Sequence, residues 1–183
     1  SLKKYGGGML NNYGAHHIDQ LLYLTSSKAR KISCLMRRIA SLGDADDVVK
    51  AVMETENGVI LDLDINMAAA IQLSPWTIMG SRGTAVQEKK PDGKVVFRVR
   101  YYKEEEAPNL ELKDQLAAQG RSYSNFDSIQ WYEEEIDISD FKPIDFYDKC
   151  YEYYALDGRP FVPVEQTLEV MRVINECRMD AGW

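Results

Sequence analysis

The sequence is short of histidine, cysteine and proline, with two, three and six of them in 183 residues. Three cysteines (Cys34, Cys150, Cys177) cannot all pair, and none stands at metal-ligand spacing, so neither a disulfide scaffold nor a zinc module is indicated. They read as core thiols of a reducing compartment, which points to the cytoplasm. No apolar run approaches the roughly 20 residues of a membrane helix, and no signal-peptide core opens the chain, so no membrane partner is expected. Basic charge is also scarce: 22 Lys+Arg against 29 Asp+Glu leave a net charge of −7, which argues against nucleic acid. Internal repeats, low-complexity stretches and the strand–Gly-x-Gly-x-x-Gly–helix pattern of a dinucleotide fold are all missing. What remains is ordinary globular composition, 45% hydrophobic and 28% charged, at a length that suits one domain.

The first segment carries the most information. Gly6-Gly7-Gly8 leads into Met9 to Thr25, whose apolar spacing predicts an amphipathic helix. At about 100° per residue, Gly14, Ala15, Ile18, Leu21 and Leu22 share one arc, while Asn12, His16, Asp19 and Tyr23 share the roughly opposite one. His17 lies to the side of that row. From Lys31 the pattern changes to period two. Strands are expected over Ile32 to Ala40, Val48 to Thr55 and Val59 to Met67, with Asn57-Gly58 as a hairpin turn in which both residues tolerate positive φ. Further strands are expected over Trp76 to Met79, Thr84 to Glu88, Lys94 to Tyr102 and Gln130 to Ile138, with a turn at Pro91-Asp92-Gly93. A short helix is sketched around Leu110 to Ala118 within a polar stretch, and two helices, Ile144 to Leu156 and Val164 to Met179, close the chain. The fold class is therefore α+β, with a largely antiparallel open sheet and helices on one face.

Several constellations bear on chemistry. An imidazole titrates near neutrality, so His16 is a candidate general base, with Asn12 one turn earlier to hold the same substrate. The same face also reads as a solvated helix side that happens to carry a histidine. His16, His17 and Asp19 do not form a metal site, because adjacent helical residues point about 100° apart and no third ligand has suitable spacing. The glycine run lacks a preceding strand and a following Gly-Lys-Ser/Thr, so it permits close approach of a backbone or a cofactor ring rather than cradling phosphate. Glu88-Lys89-Lys90-Pro91 imitates a catalytic Glu-Lys-Pro but falls on a hairpin turn. The aromatic stretch from Phe141 to Phe161 reads as core or interface.

The segment from Gly6 to Gln20, Gly-Gly-Gly-Met-Leu-Asn-Asn-Tyr-Gly-Ala-His-His-Ile-Asp-Gln, resembles the Gly-Gly-Gly-x-Leu-x-Asp/Asn-x-Gly-x-His-x-x-Asp signature of the Gfo/Idh/MocA oxidoreductases. Asn57-Gly58, Gly80-Ser81-Arg82-Gly83 and Pro163-Val164 agree with later landmarks of that family in order and spacing. The resemblance implies a dihydrodipicolinate reductase-like C-terminal domain over residues 1–183, serving substrate binding and oligomerisation. The family's N-terminal Rossmann domain, with its NAD(P) site and Glu-Lys-Pro lysine, would then lie outside this sequence. It further implies an NAD- or NADP-dependent dehydrogenase of a sugar or polyol, with no cofactor expected on these 183 residues alone. Residue by residue, His16 matches the catalytic base and Asn12 a position often held by aspartate. His17 and Tyr23 become candidate substrate contacts, and Gly7 and Gly8 candidate neighbours of the cofactor. Asp19 matches a position expected to be structural. The polar sheet face, with Asp62, Asp64 and Asn66 and, on a later strand, Arg98 and Arg100, is read either as a homodimer or higher homo-oligomer contact or as a solvated face with cross-strand ion pairs. A non-catalytic carbohydrate-binding or oligomerisation scaffold of the same fold is the alternative.

Overall fold

The computed structural model describes residues 1–106 and 129–183, so the helix sketched around Leu110 to Ala118 lies outside the described residues. The chain divides into two compact units, Ser1–Ile71 with Asp145–Trp183, and Gln72–Ile144. The first holds α1 (Ala15–Thr25), β1 (Ala29–Arg37), β2 (Val48–Thr55) and β3 (Ile60–Asn66), then α2 (Phe146–Ala155) and α3 (Val164–Ala181). Its three strands form an antiparallel sheet in the order β1-β2-β3. Period-two alternation sorts the faces: Leu61, Leu63 and Ile65 of β3 are buried, while Ile60, Asp62, Asp64 and Asn66 are exposed. Met36 and Ile65 flank Val49 in register, and these inward residues pack with Ile18 and Leu22 of α1 and Val173 and Ile174 of α3. Burying each such side chain contributes roughly 1.5–3 kcal/mol.

The outer strand β1 begins three residues earlier than its sequence pattern suggests, at Ala29 rather than Ile32. The reason is tertiary. The Ala29 N–H donates to Glu169 Oε1 at 3.2 Å, Arg172 donates to the Ala29 carbonyl, and the Cys34 N–H donates to Asp180 Oδ2 at 2.6 Å. Side chains of α3 thus satisfy an edge that would otherwise lie open to another strand. The β2–β3 hairpin forms where Asn57-Gly58 predicts it, but only Gly58 takes positive φ, at 83°. Asn57 instead works through its side chain, accepting from Thr55 Oγ1 (2.6 Å) and donating to the Thr25 carbonyl (3.1 Å), which pins the end of α1 to the hairpin.

The second unit is a four-stranded antiparallel sheet in the order β4 (Thr77–Gly80), β5 (Gly83–Lys89), β6 (Val95–Tyr101), β7 (Tyr132–Asp137). Its charges pair across strands. Arg98 bridges Glu88 (2.8 Å) and Glu133 (3.3 Å), Lys94 meets Asp137 at 2.5 Å, and Lys90 of the Glu-Lys-Lys-Pro stretch pairs with Glu135. Arg100 lies over the Trp131 ring. In the first unit Asp64 pairs with Lys50. Of the charges on the polar face, Asp64, Arg98 and Arg100 therefore each meet a partner within their own unit. The aromatic stretch is not core: Phe141, Phe146, Tyr147, Tyr151 and Tyr154 stand exposed, and α2 buries no residue. Cys34 and Cys177 are buried free thiols, and Cys177 is pushed well up by its contact with Cys34 and by burial. No helix among the described residues is long and apolar enough to cross a membrane.

Candidate functional site

The helix that begins at Met9 starts with a π-helical turn, Leu10–Gly14, which runs directly into α1. Period-3.6 reading does not reveal this widening, which is a local feature often found at functional sites. The burial pattern otherwise follows the predicted arcs. Gly14, Ile18 and Leu22 are buried, whereas Asn12, His16 and Tyr23 are exposed.

Hydrogen bonding separates the polar residues of this helix into two sets. Asn11 Nδ2 donates to the Gly6 carbonyl at 2.8 Å, and Asn11 Oδ1 accepts from Arg178 at the end of α3. Asp19 Oδ1 accepts from Gln166 Nε2 at 2.7 Å, again tying α1 to α3. Asp19 is thus the structural residue that its motif position suggests. By contrast, the side chains of Asn12 and His16 make no hydrogen bond to any described residue. They stand four residues apart on the exposed side, the spacing that places helical side chains next to one another. His17 is half-buried and stacked against Tyr13, with ring centroids 6.2 Å apart and planes inclined by 20°. Tyr23 stands roughly 10 Å further along the axis than His16, so the structure does not bring it together with the pair.

The glycine run has a conformational reason within the chain. Gly8 sits at φ +123°, and a Cβ there would lie 2.0 Å from Asp46 Oδ1. A Cβ at Gly7 would lie 2.3 Å from Ser1 Oγ and 2.8 Å from the Leu2 carbonyl. A side chain at Gly7 would therefore meet Ser1 and Leu2, and one at Gly8 would meet Asp46.

Sequence reasoning passed over Asp46 and Asp47, which look like loop residues after Gly43-Asp44. Both are buried, at 4% and 3% exposure. Asp47 accepts from the backbone N–H groups of Ile39 (2.7 Å), Ala40 (2.7 Å) and Ser41 (2.6 Å). Burial alone would push its carboxyl up, but these donors outweigh burial and hold it at about 2. Asp46 receives the start of the signature helix. Its carbonyl accepts from the Met9 N–H at 3.1 Å and its Oδ2 from the Leu10 N–H at 2.8 Å. The only sequence signal for either role was a pair of acids immediately before a strongly apolar strand.

Comparisons with known proteins bear on the family and the fold. Residues 1–86 match the family model described as the GFO/IDH/MocA C-terminal domain. A comparison with curated protein sequences found no match. Among solved structures, the chain is similar to an NAD-binding protein from Listeria innocua, with 20% identity and a TM-score of 0.72 over 98% of this chain and 51% of that one. It is also similar to an oxidoreductase from Bacillus cereus, with 14% identity and a TM-score of 0.67 over 94% of this chain and 49% of that one. At these identities the likeness is one of fold, and the chain spans about half the length of those structures. Residues 1–86, which carry the signature helix, thus match the GFO/IDH/MocA C-terminal domain model, and the fold extends that likeness over nearly the whole chain.

Proposed function

We infer that this chain is the substrate side of an NAD(P)-dependent oxidoreductase that acts on a hydroxyl group of a sugar or polyol, with His16 as general base. The observation that carries the reading is the contrast along one helix. Asn11 and Asp19 are committed to Gly6, Arg178 and Gln166, while Asn12 and His16, four residues apart, present unengaged polar atoms on the exposed side.

Oxidation of a carbinol removes a hydride from carbon and a proton from oxygen. A nicotinamide, when bound, would supply the hydride acceptor. His16 takes the hydroxyl proton on a ring nitrogen while the C–O bond becomes a carbonyl. Asn12 donates its amide N–H to the substrate oxygen and holds it toward His16, and it retains that role as charge builds on the oxygen. Because Asn12 is an amide and not a carboxylate, it orients the substrate without exchanging a proton with His16. Homo-oligomer formation through the open sheet face belongs to the same reading. Leu35, Val52 and Ile60 are exposed on the outward side of the first sheet, which offers apolar area to a second copy.

The test is His16→Ala in the full-length protein, assayed by nicotinamide absorbance against a panel of sugars and polyols. Turnover is expected to fall at least about a hundredfold, the low end for losing a general base. Unchanged turnover would remove His16 from the chemistry.

A further inference from the structure

We propose that Asp46 is a positioning residue for the Asn12–His16 pair. The proposal rests on the general-base reading of His16 and extends it to a residue outside the signature.

The argument starts at the sheet. The Asp47 N–H donates to the Arg37 carbonyl (3.0 Å) and the Asp47 carbonyl accepts from the Met67 N–H (3.0 Å), so the chain at Asp47 is held between β1 and the end of β3. Its side chain is fixed a second time by the N–H groups of residues 39–41. Asp46, one residue earlier, is therefore presented from a rigid frame. It gives its carbonyl and one carboxylate oxygen to two consecutive N–H groups, Met9 and Leu10, at the head of the helix. A helix leaves its first N–H groups without intrahelical partners, and both contacts here are made by one distant residue. The Asp46 carboxylate also fills the space beside Gly8, where positive φ and a 2.0 Å approach exclude any side chain. These contacts fix both the height and the rotation at which the chain enters the π-helical turn Leu10–Gly14, which contains Asn12 and immediately precedes α1 with His16. Asp46 thereby transmits the position of the sheet to the two groups that must meet the substrate oxygen together.

The experiment compares Asp46→Ala and Asp46→Asn with His16→Ala in the full-length protein, measuring kcat, KM for the nicotinamide and amide hydrogen exchange over residues 8–16. Asparagine keeps an acceptor of the same reach for Leu10, and alanine does not. Asp46→Ala is expected to lower kcat about a hundredfold, the size of effect a displacement near 1 Å produces, with KM for the nicotinamide unchanged and faster exchange at Leu10. Asp46→Asn is expected to stay within about threefold of the parent, because the hydrogen bond survives. If Asp46→Ala does not fold, Gly8→Ala replaces it, since its Cβ displaces the carboxylate and should reproduce the kcat loss. A folded Asp46→Ala or Gly8→Ala with full kcat overturns the proposal, as does an Asp46→Asn no better than alanine. His16→Ala with full kcat overturns the general-base reading instead, so the two failures are told apart.

Discussion

The two units of the molecule are held together by different physics. In the first, the three strands and two of the helices share one contiguous apolar core, and buried carboxylates tie loops and helix ends to it. In the second, Val96 is the one buried hydrophobic side chain among the described residues, and the strands are laced by exposed ion pairs. A candidate site needs groups held to within fractions of an ångström, and packed cores resist displacement in a way that exposed ion pairs do not. The signature helix is seated on the first kind of support, with Ile18 and Leu22 in its core, while the second unit rests on pairs that salt screens.

This contrast can be tested from its strongest side down. Ile18→Ala removes a fully buried side chain where α1 meets the core, and it is expected to cost roughly 2–5 kcal/mol in chemical denaturation. A loss below that range would mean that the helix is not seated as described. Asp47→Ala leaves three loop N–H groups without their acceptor, for an expected cost of roughly 1–3 kcal/mol near neutral pH. The pH dependence of that cost has a definite sign. The folded Asp47 carboxyl sits at about 2, below the ordinary value near 4, so its contribution is complete above pH 4 and is lost as pH falls toward 2. The gap between parent and variant should close over that window, and a gap independent of pH would contradict the hydrogen-bond account. Arg98→Ala, which breaks two exposed bridges in the second unit, is expected to shift the unfolding midpoint least. That shift should vanish in 1 M salt, where screening reaches within about 3 Å. A large shift that survives salt would erase the distinction between the units.

Much of this was legible in the residues, for reasons that vary by element. Strand β2 runs from Val48 to Thr55 as its apolar pattern implies, because a central strand is fixed by its own alternation and by neighbours on both sides. The start of β1 is not legible, because its first residues, Ala29 to Lys31, carry no apolar alternation and Ala29 is held through Glu169 and Arg172 of α3. The site helix was legible as a face, with Asn12 and His16 outward and Ile18 and Leu22 inward. Its π-helical start was not legible, since the residue that receives it lies 36 positions away in what reads as a loop. Nor could spacing tell that Asn11 and Asp19 are engaged while Asn12 and His16 are not, because the partners, Arg178 and Gln166, come from the last helix.

The closure of β1 by α3 has a consequence for how the protein is made. The contact between Cys34 and Asp180 joins residues 146 positions apart, and the whole second unit is synthesised in between. While the ribosome works through residues 72–144, the first sheet already has all three strands but one side of β1 is still bare. An uncovered strand of this kind is a template for pairing with any other chain that carries one. Synthesis paused in that interval should yield a nascent chain that self-associates and binds chaperones. The same chain should be released from both once residues 164–181 have emerged.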